Sequence, residues 1–192
     1  MLRALCTLGL LANSHAATSA KVVFAPYPGY NTTGGLTYGG TAVLSDATSA
    51  TQQDIVITLS GADPLCNGTA TKCGAHIHTG TSCGDAAAVG GHYYGTSTDV
   101  WNGANLHYTA ASDGAVKSYS IKLDTNLTMA QVIGRVMVVH SSTGTRVACG
   151  PIVKVADPKA STSEASTSGA GVAAVSSLGL ISALVVSSAV SL

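Results

Sequence analysis

The stretch "IGRVMVVHSSTGTRVACGPI", residues 133–152, holds two runs rich in β-branched residues with a turn between them. Such side chains pack well on a pleated surface and lose χ1 freedom in a helix. Ser142-Thr143-Gly144 carries the turn chemistry. The reading is therefore two strands. The first strand ends on His140, which delivers an imidazole to the edge of a sheet or barrel.

The rest of the body reads the same way. "DIVITLSG" (54–61) alternates, with Ile55, Ile57 and Leu59 on one face. "AVKSYSIKL" (115–123) places Lys117, Tyr119, Ile121 and Leu123 on one side and Val116, Ser118 and Ser120 on the other. "KVVFAPYPG" (21–29) and "GLTYGGTAVLS" (35–45) add two strands, and "RVACGPIVKV" (146–155) closes the series. "NLTMAQVIG" (126–134) has room for one helical turn at most. Several short strands with Gly-rich turns predict an all-β sandwich or barrel with Greek-key connections. No internal repeat is evident.

The ends carry different signals. Arg3, the apolar run 4–12 and the small-x-small pattern Ser14-His15-Ala16 read as a secretory signal peptide, residues 1–16. Residues 157–171 are Ser/Thr-rich and cannot build a core. Residues 172–192 are an uncharged apolar tail with no basic residue after them. Spacer and tail together read as a glycosylphosphatidylinositol (GPI) attachment signal, with the tail removed. The expected domain spans residues 17–156, and the expected location is the cell surface, anchored to membrane or wall.

Nine basic and nine acidic residues cancel in the 192-residue chain. No basic patch suggests nucleic acid. Asn31, Asn67 and Asn126 begin glycosylation sequons, in keeping with secretion.

"CGAHIHTGTSCG" (73–84) raises the question of chemistry. Two cysteines flank two histidines, as a zinc site would need. A secreted chain, however, keeps four cysteines, Cys66, Cys73, Cys83 and Cys149, and the secretory route oxidises thiols. Two disulfides are expected, in any of three pairings. The histidines then become the metal ligands. On a strand, His76 and His78 share a face while Ile77 turns to the core. His92 follows in "VGGHYY", and His140 ends its apolar strand. Four imidazoles with no thiolate or carboxylate suit copper, zinc or nickel.

In order and spacing, "HIH", a cysteine, "GGH", "IGRVMVVHS" and "TGTRVACGPI" resemble the Cu,Zn superoxide dismutase family across roughly residues 21–155. The resemblance implies an eight-stranded Greek-key β-barrel, with copper on His76, His78, His92 and His140. It implies Arg146 as the active-site arginine and His92 as the ligand that releases reduced copper and takes a proton. It also implies a Cys83–Cys149 disulfide, which leaves Cys66 with Cys73.

Two departures stand out. Trp101 and Ala104 fall where the family's last zinc histidine and zinc aspartate would be. His107, placed on the next strand, is the one histidine left in that region. Zinc is therefore expected to be absent. Only "SSTGT" separates His140 from Arg146, too little for the family's electrostatic loop. Both losses resemble the extracellular copper-only branch. Asp99 is the candidate acid that holds His92 in place of zinc. The expected activity is dismutation of superoxide with one copper per chain, by a monomer in which the family's dimer is not assumed. The alternative is a non-catalytic copper-binding or structural surface protein on the same barrel.

Overall fold

The computed structural model describes residues 18–31, 36–68, 72–103 and 106–156. They all fall in one unit ending at Ala156. The expected signal peptide, spacer and GPI tail lie outside them, as does Ala104. Among the described residues no helix is long and apolar enough to cross a membrane.

Eight strands form a curled antiparallel sheet, so the chain is all-β as expected: β1 (Ser19–Pro26), β2 (Gly39–Asp46), β3 (Gln52–Ser60), β4 (Ala75–His78), β5 (Val116–Asp124), β6 (Val136–His140), β7 (Arg146–Pro151) and β8 (Val153–Lys154). The order across the sheet is β4-β6-β7-β1-β2-β3-β5, with β8 beside β1. From β3 to β6 the chain alternates between the two edges, as Greek-key connections do. Among the described residues, isolated bridges Gly74–His107 and Asn67–Thr109 join the connection before β4 to the connection before β5. Two single helical turns, α1 (Ala86–Val89) and α2 (Met129–Val132), lie in the connections.

The core follows the alternation. Ile55, Ile57 and Leu59 of β3 are buried, while Val56, Thr58 and Ser60 face out. Each such burial contributes roughly 1.5–3 kcal/mol. Strand β5 departs from its expected phase. Ile121 is buried and Tyr119 and Leu123 are half-buried, but Lys117 is exposed and Val116 is buried. The reason is a register shift. Ile57 pairs with Tyr119, yet Leu59 pairs with Val116. One extra residue in β5 flips the side chains beyond it. The lysine is spared burial and the valine gains it.

The second strand run also splits. Ile152 is buried between β7 and β8, and its backbone bonds Gly134 and Arg135.

Strand β6 is buried at every position. Met137 and Val139 face the main core, while Val136 and Val138 pack in a smaller cluster with Tyr27, Val89 and Cys149. A strand covered on both faces reads as a continuous apolar run, which explains "VMVV". The register pairs His76 with Val138 and His78 with Val136. His76, His78 and His140 therefore share the face of the smaller cluster, and Ala75 and Ile77 face the main core.

Candidate metal centre

Strand β4 presents His76 and His78, and the end of β6 presents His140. His92 comes from the loop after α1. Its backbone is drawn in by a bridge to His78, by Thr79 N–H to the Gly91 carbonyl and by Tyr93 N–H to the Ile77 carbonyl, at 2.9 and 2.8 Å. One ring nitrogen from each of the four histidines falls within 4.8 Å of the others. His76, His78 and His140 are buried, and His92 is half-buried.

The environment keeps the three buried rings neutral. Burial first, then His140 and His92, push His76 down to about 2 from an ordinary 6.5. Burial pushes His78 down to about 3, opposed by its bond to Gly90 and reinforced by Arg146. His140 falls to about 4, from burial and then from His92. Neutral imidazole is the form that binds a metal.

The hydrogen bonds choose which nitrogens remain. His78 Nδ1 lies 3.1 Å from the Gly90 carbonyl, and His92 Nδ1 lies 2.7 Å from Asp99 Oδ2. Each of these Nδ1–H groups donates, which leaves Nε2 open. Both nitrogens of His76, Nε2 of His78 and Nδ1 of His140 are buried with no partner. Buried polar atoms in native proteins are almost always satisfied. A metal ion taking one nitrogen from each ring would relieve most of this set, so the residues fit one.

Gly74 is required by the site. A Cβ there would run into the His76 imidazole, at Nε2 and Cε1. On the far side, the Trp101 indole packs 5.6 Å from the His76 ring and donates from Nε1 to the Tyr93 carbonyl at 2.8 Å. Asp99 caps this turn by accepting the Trp101 N–H at 2.9 Å.

A cavity of about 270 Å³ opens over His76, His92 and His140, with Lys72, Asn102 and His107 on its rim. His107 belongs to the isolated bridge with Gly74 and not to a named strand, contrary to the sequence reading. Arg146 does not line this mouth. Its Nη2 donates to the Gly90 carbonyl at 2.7 Å and its Nη1 to the Tyr27 hydroxyl at 3.1 Å. It borders a neighbouring depression with Tyr27, Tyr30 and Thr145. Gly90 thus receives both His78 and Arg146.

The cysteines form Cys66–Cys73 and Cys83–Cys149. The second joins the loop after β4 to β7. Two disulfides fit an oxidising compartment. Asn31, Asn67 and Asn126 are all exposed. Asn126 sits at φ 55 and donates from Nδ2 to the Gly95 carbonyl at 3.0 Å.

Fold and centre together define an all-β, disulfide-stapled protein with a four-histidine site able to hold a metal ion. Neither a protein-family model nor a curated protein matches the chain.

Proposed function

We propose that this protein is a secreted copper-only superoxide dismutase. The observation that carries the reading is the convergence of four histidine nitrogens within 4.8 Å, with no thiolate or carboxylate among them. His76, His78, His92 and His140 would hold the ion. When bound, copper would supply a centre that alternates between two oxidation states, so that one superoxide is oxidised to oxygen and another, with two protons, is reduced to hydrogen peroxide.

The chain's own residues support that chemistry. Asp99 keeps a proton on His92 Nδ1, so Nε2 is the atom that can either ligate or accept a proton. A buried Trp101 stands where the resemblance calls for a zinc histidine, which agrees with copper alone. Arg146 holds the carbonyl that orients His78 and adds a fixed positive charge beside the ring. The open cavity gives a small anion direct access. Secretion and GPI anchoring belong to the same reading and rest on the chain ends. Release of the protein from cells by a phosphatidylinositol-specific phospholipase tests the anchor.

One observation favours the second reading, a copper-binding protein without turnover. The guanidinium of Arg146 is engaged by Gly90 and Tyr27 and lies off the mouth. Pulsed superoxide added to the copper-loaded domain separates the two. The dismutase reading expects catalytic decay beyond one equivalent, lost in His92→Ala. Decay that stops at one equivalent favours the binder.

A further inference from the structure

We propose that Asp63 is a positioning residue for His140, acting through Ser142. The inference rests on the reading of His140 as a metal ligand.

His140 is the last residue of β6, and the ladder to β7 is already irregular there. Val139 pairs with Ala148, but His140 pairs with Arg146. On the β4 side His140 N–H still donates to the Gly74 carbonyl at 2.8 Å. A metal site needs its ligands held to about 0.5 Å, and on the β7 side that support must come from beyond the ladder.

Asp63 meets that need. Its Oδ2 accepts both the backbone N–H and the hydroxyl of Ser142, at 3.1 and 2.5 Å, across 79 residues of chain. Its Oδ1 accepts Leu65 N–H at 2.9 Å. Asp63 is only 7% exposed, and among the described residues no cation pairs with it. A buried carboxylate held by neutral donors alone is costly unless those donors are fixed. Here they fix the turn that begins at His140.

The bonds close into a ring. The Asp63 carbonyl accepts Cys66 N–H at 2.9 Å, and Cys66 is bonded to Cys73. The Cys73 carbonyl accepts Tyr108 N–H at 2.9 Å, and the Tyr108 hydroxyl donates to the His140 carbonyl at 2.7 Å. His140 leads through Ser141 to Ser142 and back to Asp63. The ring ties the first disulfide to the fourth histidine, and of the ring residues named here His140 alone lines the open cavity.

The test uses the domain loaded with copper, as Ser142→Ala, Ser142→Thr and Asp63→Asn, with the surface change Asp54→Asn as control. Copper affinity is read by chelator competition, and ligand geometry by the Cu(II) paramagnetic resonance spectrum. Removal of an outer partner typically weakens a metal site about 10–100-fold. Ser142→Ala should lose about tenfold with an altered copper hyperfine splitting, and Ser142→Thr should restore both. A merely structural role would lower thermal stability and leave the spectrum unmoved. If Asp63→Asn does not fold, Ser142→Ala decides alone. Wild-type copper uptake with wild-type affinity and spectrum in Ser142→Ala overturns the Asp63 inference and leaves the copper reading standing. Failure of the wild type to take up copper overturns both.

Discussion

Asp99 Oδ2 sits 2.7 Å from His92 Nδ1, and the other oxygen of the same carboxylate accepts the Trp101 N–H at 2.9 Å. One side chain thus fixes the tautomer of the loop-borne histidine and caps the turn that walls the site. Asp99→Ala removes both. Copper affinity should fall about 10–100-fold, as for other outer partners of histidine ligands. Asp99→Asn keeps an acceptor but loses the charge, and should fall between the two. Chelator competition measures this, and equal affinities in all three proteins would deny Asp99 that role.

Gly74→Ala is the sharpest steric test. The new Cβ meets the far end of the His76 side chain, and no backbone atom lies nearest it. The buried ring must shift among its neighbours, at a cost of about 1–3 kcal/mol, so the fold should survive with a lowered melting temperature. Metal binding should not survive, because the shifted ring has left the cluster. Loss of copper uptake in a folded Gly74→Ala protein is the expected result, by calorimetric titration.

The two disulfides should differ in worth. Cys83–Cys149 closes 66 residues of separation and Cys66–Cys73 closes 7. Loop-closure entropy assigns them about 4 and about 2 kcal/mol. Denaturant unfolding of the paired Cys→Ala variants should rank them in that order. The 66–73 pair should have the larger effect on copper affinity, because it lies in the ring that reaches His140.

Asp63 should also mark the acid limb of stability. Burial alone would raise its pKa, but the bonds from Ser142 and Leu65 outweigh burial and hold it below the ordinary 3.8. A depressed folded value means the stabilisation is complete above the unfolded pKa and is lost as pH falls through the folded one. The stability gap between wild type and Asp63→Asn should therefore be constant from neutral pH to about 5 and shrink below about 4. Urea unfolding across that range measures it. A gap that widens on acidification would show the sign to be wrong.

Much of this was legible in the residues, for identifiable reasons. His76 and His78 share a face because a strand repeats every two residues, and β6 reads as apolar because it is covered on both sides. The disulfides followed from resemblance, and the strand list followed from β-branched runs. What escaped was tertiary. Nothing local in "AVKSYSIKL" announces the extra residue that buries Val116 and frees Lys117. His107 looks like a strand residue until its partner proves to be a lone glycine. Asp63 stands in "GADPLC", an ordinary turn signal, and its meaning lies 79 residues away at Ser142. The requirement for Gly74 depends on where the His76 ring folds, which no pattern reports.

The central claim is that four histidines of this chain hold one copper ion and no zinc. Elemental analysis of the purified domain, in the wild type and in His140→Ala, tests it most directly. The prediction is one copper and no zinc per wild-type chain, with copper lost in His140→Ala. Stoichiometric zinc in the wild type, or copper retained in full without His140, would contradict it.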